Sequence, residues 1–384
     1  MAVEQSVRRE ELLSRTVSLL PAIRDRALET ERLRQIPAET VTDLKHAGLL
    51  NIPTPQRYGG YEHDIDLMFE VAMTVGQACG STGWCYSVWS IHNWMLGFWP
   101  EQAQDEYFAT GPDTLSSSAF APTGRLTPVD GGFKLSGRWE FSSGSDAATW
   151  ALLGAMGQTG PCMVLVPRED YEIVDTWFVS GLKGTGSKDI AVEDAFVPGH
   201  RIGAIMGDVR GNNAYELHGR DSYRLPPMSL LPFTLCSPIV GMAEGAIEEF
   251  TNRLKGKTGQ GRTAESVALQ LRLAESAAEA DAARLLVTTT TRDLIERASR
   301  GDFPDELAQA TTRRRYSYIA KLCVQSVNRL FEASGGHSLF ESEAMQRFHR
   351  DIHAGSHQHA LYWDNLAEGF GRAALGLPPL NPFR

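Results

Sequence analysis

Hydrophobic positions divide the chain into three textures. Over the first ~115 residues they recur at helical spacing. Leu12, Leu13, Val17, Leu19 and Leu20 form one apolar stripe, and Val41, Leu44, Leu49 and Leu50 a second that Gly48 and Pro53 punctuate. After the turn-rich PTPQRYGGYEHD, an apolar segment runs from Ile65 to Ala78, and an aromatic-rich one from Trp84 to Trp99 stops at Pro100. From Leu115 to about Pro198 the period shortens. GGFKLSGRWEF, TWALLGAM and CMVLVP read as strands of an antiparallel sheet or small barrel, followed by the glycine loop and strand of GLKGTGSKDIAVEDAFVP. From Ser229 helical periodicity returns in three long Ala-rich amphipathic stretches, as in an antiparallel bundle. The expected plan is mostly α with a middle β domain: a helical domain over 1–115, a β domain over 116–225 and a helical bundle over 226–384.

Composition narrows the class. The 384 residues carry 37 Lys+Arg against 47 Asp+Glu, a net charge of −10, which argues against nucleic acid as a partner. No run of about 18 uncharged apolar residues stands out, and the first residues lack a signal-peptide core, so neither a membrane span nor secretion is expected. The five cysteines are scattered, with no CxxC pair. That fits reduced thiols in a cytoplasm better than a zinc site or a disulfide framework.

Two segments imitate cofactor motifs. GKTGQGRT, from Gly256, has the Gly-Lys-Thr of a P-loop, but Thr251 stands where the first glycine belongs and no strand precedes it. No GxGxxG lies between a strand and a helix, so a nicotinamide-binding Rossmann unit is absent. Other segments carry more chemistry. In RFHRDIHAGSHQH, residues His349, His353 and His357 fall at i, i+4 and i+8, on one helical face, with His359 turned away. An ordinary polar face, a metal pair at His353 and His357, and a general base all fit that spacing. In GRWEFSSGSD, Ser142, Ser143 and Gly144 offer hydroxyl and backbone donors at a strand end, or only a turn. Gly181, Gly184 and Gly186 allow a close backbone approach to a ligand, or again a tight turn. The aromatic belt Trp84, Tyr86, Trp89, Trp94, Phe98 and Trp99 reads mainly as core or subunit interface, with His92 in its middle.

Taken in order, LKHAGLLNIPTPQRYGGYE, CGSTGWCYSVWSIHNWMLGFWPEQAQDE, GGFKLSGRWEFSSGSDAATW, GLKGTGSKDIAVEDAFVP and FEASGGHSLFESEAMQRFHRDIHAGSHQH resemble the acyl-CoA dehydrogenase superfamily over nearly the whole chain. The resemblance implies a helical domain, a β-barrel-like domain and a C-terminal four-helix bundle. It is closer to the flavin-dependent monooxygenase branch, the oxygenase components of two-component aromatic hydroxylases. Where dehydrogenases carry a glutamate base after the Arg-Asp pair, this chain has His-Ala-Gly-Ser-His-Gln-His and no acid before Asp364. The other dehydrogenase base position is also empty, with no Asp or Glu between Asp221 and Glu244. RLKGKTGQG replaces the adenine-contacting Arg-x-Gln-Phe-Gly segment, which leans towards FMN.

That branch implies a reduced flavin (FMNH2 or FADH2) and O2, reacting through a C4a-hydroperoxide kept from water, and a phenol- or indole-like substrate. It implies a separate NAD(P)H:flavin reductase and a homotetramer. By resemblance, Ser143 is the donor near flavin N5, with Ser142 beside it. Trp139, Gly144, Gly184, Thr185, Gly186 and Ser187 line the flavin or substrate mouth. The base is His357 or His359, since the usual spacing falls between them at Gln358, and His92 assists. The rivals are a sulfur or nitrogen oxygenase of the same branch, a dehydrogenase with a displaced base, and a silent scaffold that keeps the fold.

Overall fold

The computed structural model describes residues 7–157, 160–203, 213–256 and 263–379, so most of the P-loop imitation (257–262) lies outside the described residues. Helices α1 (Arg9–Asp25), α2 (Ala27–Leu33), α3 (Ala38–His46), α4 (Ile65–Ala78), α5 (Gly80–Leu96) and α6 (Glu101–Tyr107) precede the sheet. Strands β1 (Ser116–Val129), β2 (Gly132–Ser142), β3 (Trp150–Gly157), β4 (Gly160–Pro167), β5 (Glu172–Val174), β6 (Lys188–Pro198) and β7 (Ile202–Gly203) form one sheet in the order β5-β6-β2-β1-β3-β4-β7. Its pairs are antiparallel except β1 with β3, which run parallel. After the short α7 (Ala214–His218) come α8 (Leu231–Gly256), α9 (Val267–Ser299), α10 (Glu306–Ala333), α11 (Ala344–Ser356) and α12 (Trp363–Ala374).

Two apolar cores result. One is internal to the sheet, around Leu135, Trp139, Leu153, Val164 and Ile190. The other is continuous from the first helices into the bundle, joining Phe69, Trp89 and Leu96 to Phe233, Ile239, Ile319 and Ile352. The helical segments on either side of the sheet in sequence are therefore one packing unit.

The seam of that unit is α4 against α8. A Cβ on Gly241 would run into the Met73 carbonyl, one on Gly245 into the Gln77 carbonyl, and one on Gly76 into the Pro238 carbonyl at 2.8 Å. Bare glycine surfaces on both helices let the backbones approach this closely.

Helix α8 departs from the composition reading. The stretch Pro227–Lys255 is long and apolar enough to cross a membrane by length and composition, but 83% of its most apolar window is buried inside the fold. Its apolarity serves the core, because it packs against α4, α5, α9, α10 and α11 at once.

Gly241→Ala should therefore destabilise the whole helical unit, by about 1–3 kcal/mol as overpacking does. The check is a lowered thermal midpoint, with Gly369→Ala, which meets no neighbour, as the control.

Candidate active site

Helix α5 organises the site because all of its residues, Gly80 to Leu96, are buried. Its N-terminal half lies under two loops of the sheet. The first is the end of β2, Ser142 to Ser145. The second is the Leu182–Ser187 turn that leads into β6. The two are stitched together by the Gly144 amide donating to the Thr185 carbonyl (2.7 Å) and Ser145 Oγ donating to the Gly186 carbonyl (3.2 Å). Trp89 Nε1 of α5 donates to the Gly144 carbonyl (3.2 Å), and Trp84 Nε1 to Ser143 Oγ (3.2 Å). Ser143 Oγ also shares a hydrogen with Ser187 Oγ (2.7 Å), and Ser187 with Thr185 Oγ1 (2.7 Å). Ser142, Ser143, Gly144, Thr185 and Ser187 are thus brought together.

The remaining sequence candidates fare differently. Trp139 is turned into the sheet's own core, its Nε1 donating to the Gly154 carbonyl (2.7 Å) and its ring packed over Gly124 and Gly137. The register shift between Trp139 and Ser142, with Phe141 left-handed between them, separates this core side chain from the strand end. The glycines of the turn make room for protein and not for a ligand. A Cβ on Gly181 would strike the Arg350 carbonyl, and one on Gly184 would strike the Thr30 side chain. Gly186 has φ +51, and a Cβ there would meet the Asp146 carboxylate at 2.6 Å. Lys188 Nζ holds that carboxylate at 2.7 Å.

His92 is buried at the far end of α5, with Nδ1 2.8 Å from the Ser116 carbonyl. A carbonyl only accepts, so Nδ1 carries the hydrogen and Nε2 keeps its lone pair. Burial lowers the His92 pKa to about 4, so the imidazole is neutral near pH 7. His349 and His353 lie on one face of α11 as the spacing requires. His349 stacks on Phe331 with centroids 4.2 Å apart, and His353 Nε2 donates to Asn328 Oδ1 (2.7 Å). His357 caps α11 at the surface, its Nδ1 donating to the His353 carbonyl (2.6 Å), and His359 is exposed in the following turn. Those bonds leave His353 and His357 turned to protein partners, and no cluster of three His, Cys, Asp or Glu side chains occurs among the described residues.

Three residues join the site without having been singled out by sequence. Phe141 takes a left-handed backbone (φ 66) and stands 65% exposed beside Ser142, edge-on to Trp177 (centroids 6.0 Å, 88°). No alternation pattern signals such a twist. Asp351 of α11 is buried, and its Oδ1 accepts from the Leu182 amide at 2.6 Å. Arg350 next to it reaches Glu31 (2.5 Å) and the Ser180 carbonyl (2.6 Å). The Arg-Asp pair thus pins the bundle to the turn that carries Thr185 and Ser187. Behind this turn, away from the serines, a cavity of about 640 Å³ opens between α2, Phe178–Lys183 and α11.

The residues at the β2 end fit a flat, hydrogen-bonding ring system. Ser142 Oγ is buried and has no partner in the protein, Ser143 has bonding capacity left, and Phe141 offers an exposed aromatic face. Carboxylates, by contrast, are committed. Glu244 is held by Arg284 (2.5 and 2.6 Å) and by Gln77 Nε2 (2.6 Å), and Asp351 by the Leu182 amide.

Burial raises the Asp351 carboxyl to about 6, against the opposing pull of the Leu182 amide and Arg347. A carboxyl raised above its unfolded value of ~3.9 costs nothing while both states are protonated, and costs stability as pH rises through the folded pKa. Asp351→Asn keeps the acceptor but does not titrate. The stability of the wild type relative to this variant should fall between about pH 4 and pH 7, by on the order of 2–3 kcal/mol. Denaturant melts at four pH values check it, and a flat difference would remove the buried carboxyl as the cause.

Comparison with known proteins identifies the family. Residues 19–110 match the model of the acyl-CoA dehydrogenase N-terminal domain, and residues 233–362 that of an acyl-CoA dehydrogenase C-terminal domain. The chain is 37% identical to a flavin-dependent monooxygenase oxygenase subunit, HsaA, of Mycobacterium tuberculosis (strain CDC 1551 / Oshkosh), over 96% of each protein. It is 32% identical to the oxygenase component of an FADH2-dependent resorcinol hydroxylase of Rhizobium sp. (strain MTP-10005), over 96% of this chain and 95% of that one. The crystal structure of 3-HSA hydroxylase from Rhodococcus sp. RHA1 superposes with a TM-score of 0.92 at 33% identity, covering 97% of this chain and 98% of that one. With its buried carboxylates spent on structure and its serines gathered at the strand end, this chain belongs to the acyl-CoA dehydrogenase family, in its branch of reduced-flavin-dependent monooxygenases.

Proposed function

We propose that the protein is the oxygenase component of a two-component system that hydroxylates a small phenol- or indole-like aromatic compound. The observation that carries this reading is Ser143, held from two sides with one bonding position left, beside the exposed ring of Phe141. Dehydrogenation needs a carboxylate free to take a proton, and Glu244 and the buried Asp351 at the bundle face are committed to Arg284 and to the Leu182 amide.

When bound, the reduced flavin supplies the activation of O2. The chain's own residues do the rest. Ser143 would hold the flavin near N5, with Ser142 beside it, and Phe141 and the buried Trp84 would cover it from water. His92, neutral and with Nε2 free of the carbonyl bond, is suited to accept a hydrogen from a substrate hydroxyl. His357 is the preferred general base, with His359 as the neighbouring alternative. Both are exposed on the single chain, at the end of α11.

A homotetramer is the expected assembly, because it would cover apolar surface open on the single chain. Val267, Leu271 and Leu285 stand 66%, 65% and 61% exposed along α9, and Leu375 77% exposed after α12. The expected setting is the cytoplasm, with reduced flavin arriving from a separate NAD(P)H:flavin reductase.

The test begins without oxygen. Protein mixed with FMNH2 or FADH2 and then with oxygenated buffer in a stopped-flow cell should delay the appearance of oxidised flavin relative to free flavin. Reoxidation as fast as that of free flavin, with a panel of phenols and indoles present, would sink the oxygenase reading. Bleaching of FAD-loaded protein by an acyl-CoA would replace it with dehydrogenation. His357→Ala should slow hydroxylation about 10²–10⁴-fold while the delay persists. A sulfur or nitrogen oxygenase would lose little on that change.

A further inference from the structure

The hydroxyls around Ser143 form a chain with one hydrogen each to place. Ser143 Oγ lies 2.7 Å from Ser187 Oγ, which lies 2.7 Å from Thr185 Oγ1, which lies 2.8 Å from the Leu182 carbonyl oxygen. All three side chains are buried, Thr185 at 1%, Ser187 at 4% and Ser143 at 9% exposure, so water does not complete their bonding. Each short contact needs one hydrogen between its two oxygens, and each hydroxyl supplies one. Three arrangements satisfy both links between hydroxyls, but the one in which Ser143 and Thr185 both donate to Ser187 leaves the buried Ser187 hydrogen without an acceptor, so two remain.

In the first, Thr185 donates to the Leu182 carbonyl, Ser187 donates to Thr185 and Ser143 donates to Ser187. Ser143 then has no hydrogen for a bound molecule. Trp84 N–H occupies one of its lone pairs at 3.2 Å, and the other is left to accept. In the second, Thr185 donates to Ser187 and Ser187 to Ser143, and the Ser143 hydrogen points out of the chain. The Leu182 carbonyl loses one donor on this reversal. It keeps two others, Trp177 Nε1 at 3.0 Å and the Thr185 amide at 3.1 Å. A carbonyl has two lone pairs, so with three donors in reach it gives one up at little cost. The Trp84 bond is the same in both arrangements.

The two arrangements match the two forms of the ligand. A reduced isoalloxazine carries a hydrogen on N5 and must be met by an acceptor, whereas an oxidised one has a bare lone pair on N5 and must be met by a donor. We infer that Thr185 and Ser187 are positioning residues that reverse the Ser143 hydroxyl, so that one serine accepts from reduced flavin and donates to oxidised flavin. This rests on the reading that Ser143 meets flavin N5. It gives an oxygenase that takes up reduced flavin and releases oxidised flavin a contact that neither form breaks.

Removing the inward end of the chain biases it. In Thr185→Val, Ser187 has only Ser143 left to donate to, which turns the Ser143 hydrogen outward and favours the oxidised ring. The readout is binding and not turnover: Kd for oxidised flavin by fluorescence quenching, and Kd for reduced flavin by anaerobic titration. The ratio Kd(reduced)/Kd(oxidised) should rise about tenfold, as for one hydrogen bond left unmade. Thr185→Ser should restore the wild-type ratio. Ser187→Ala removes the inward acceptor by a different route and should shift the ratio in the same direction, which serves if the valine variant does not fold.

In a Ser143→Ala background the Thr185→Val shift should vanish. A shift that persists there, or a ratio unchanged in both Thr185→Val and Ser187→Ala, overturns the relay. Failure of the wild-type protein to bind reduced flavin at all would instead overturn the oxygenase reading on which the relay rests.

Discussion

A helix with no face in water can find partners for its polar side chains only inside the protein, and α5 is such a helix, with Thr82 Oγ1 and Ser90 Oγ left unpaired. Its partners come from every part of the fold. Asn93 Nδ2 donates to the Leu50 carbonyl (3.3 Å) and Thr54 Oγ1 (3.2 Å) of the N-terminal segment. Ser87 Oγ donates to the Thr234 carbonyl (2.8 Å) of α8, and Trp89 Nε1 to the Gly144 carbonyl of the sheet loop. Tyr107 OH bridges Asn93 Oδ1 (2.9 Å) and Ser116 Oγ (3.0 Å), where β1 begins. Moving any of these elements would orphan a buried donor, at a cost of about 1–3 kcal/mol each. The position of Ser143 is therefore a property of the whole molecule, fixed through Trp84 from one side and the Leu182 turn from the other.

The same economy explains the glycines. From the sequence, Gly181, Gly184 and Gly186 look like a ligand cradle. In the fold the missing side chains admit the α11 backbone, Thr30 and Asp146. The turn is rigid because protein fills it, and that rigidity lets Thr185 and Ser187 hold fixed distances to Ser143. Arg350 and Asp351 reinforce it from α11, the first through Glu31 and Ser180, the second through the Leu182 amide. A flexible glycine loop would not keep a 2.7 Å chain of hydroxyls in register.

Periodicity made the architecture legible. Stripes such as Leu12–Leu20 became α1, the Gly-punctuated β runs became β2, β3, β4 and β6, and the Ala-rich stretches became α8 to α10. Residue order made the family legible, and with it Ser143 and Ser187 as separate candidates, while their 2.7 Å contact shows only in the fold. Position in space was not legible. Trp139 and Phe141 are two residues apart on one strand, and nothing in their types tells which is sheet core and which is exposed, because the choice depends on the left-handed turn at Phe141. Asp351 served the sequence reading only as a landmark, since a hydrogen bond across 169 positions leaves no local trace. Sequence named both His357 and His359 as the base, with His357 preferred, for a related reason. Both lie where α11 ends, and a helix end sets no side-chain direction by spacing alone.

The distribution of charge ties the fold to its branch of the family. A dehydrogenase and an oxygenase can share a bundle and a sheet, and they differ in where a proton acceptor stands. Here Glu244 neutralises Arg284, Glu31 neutralises Arg350, and Asp351 is spent on a backbone amide. At the strand end Lys188 neutralises Asp146, and the groups left there without an ion partner are serine and threonine hydroxyls and tryptophan N–H groups, with the neutral imidazole of His92 farther along α5. Uncharged donors and acceptors are the groups that survive burial without paired ions, at a much lower desolvation cost than a carboxylate. A neutral base can take a proton from a phenol without first placing a negative charge beside an electron-rich ring. The absence of a free carboxylate and the gathering of hydroxyls at Ser143 are thus two sides of one constraint, that buried polar groups without paired ions stay neutral.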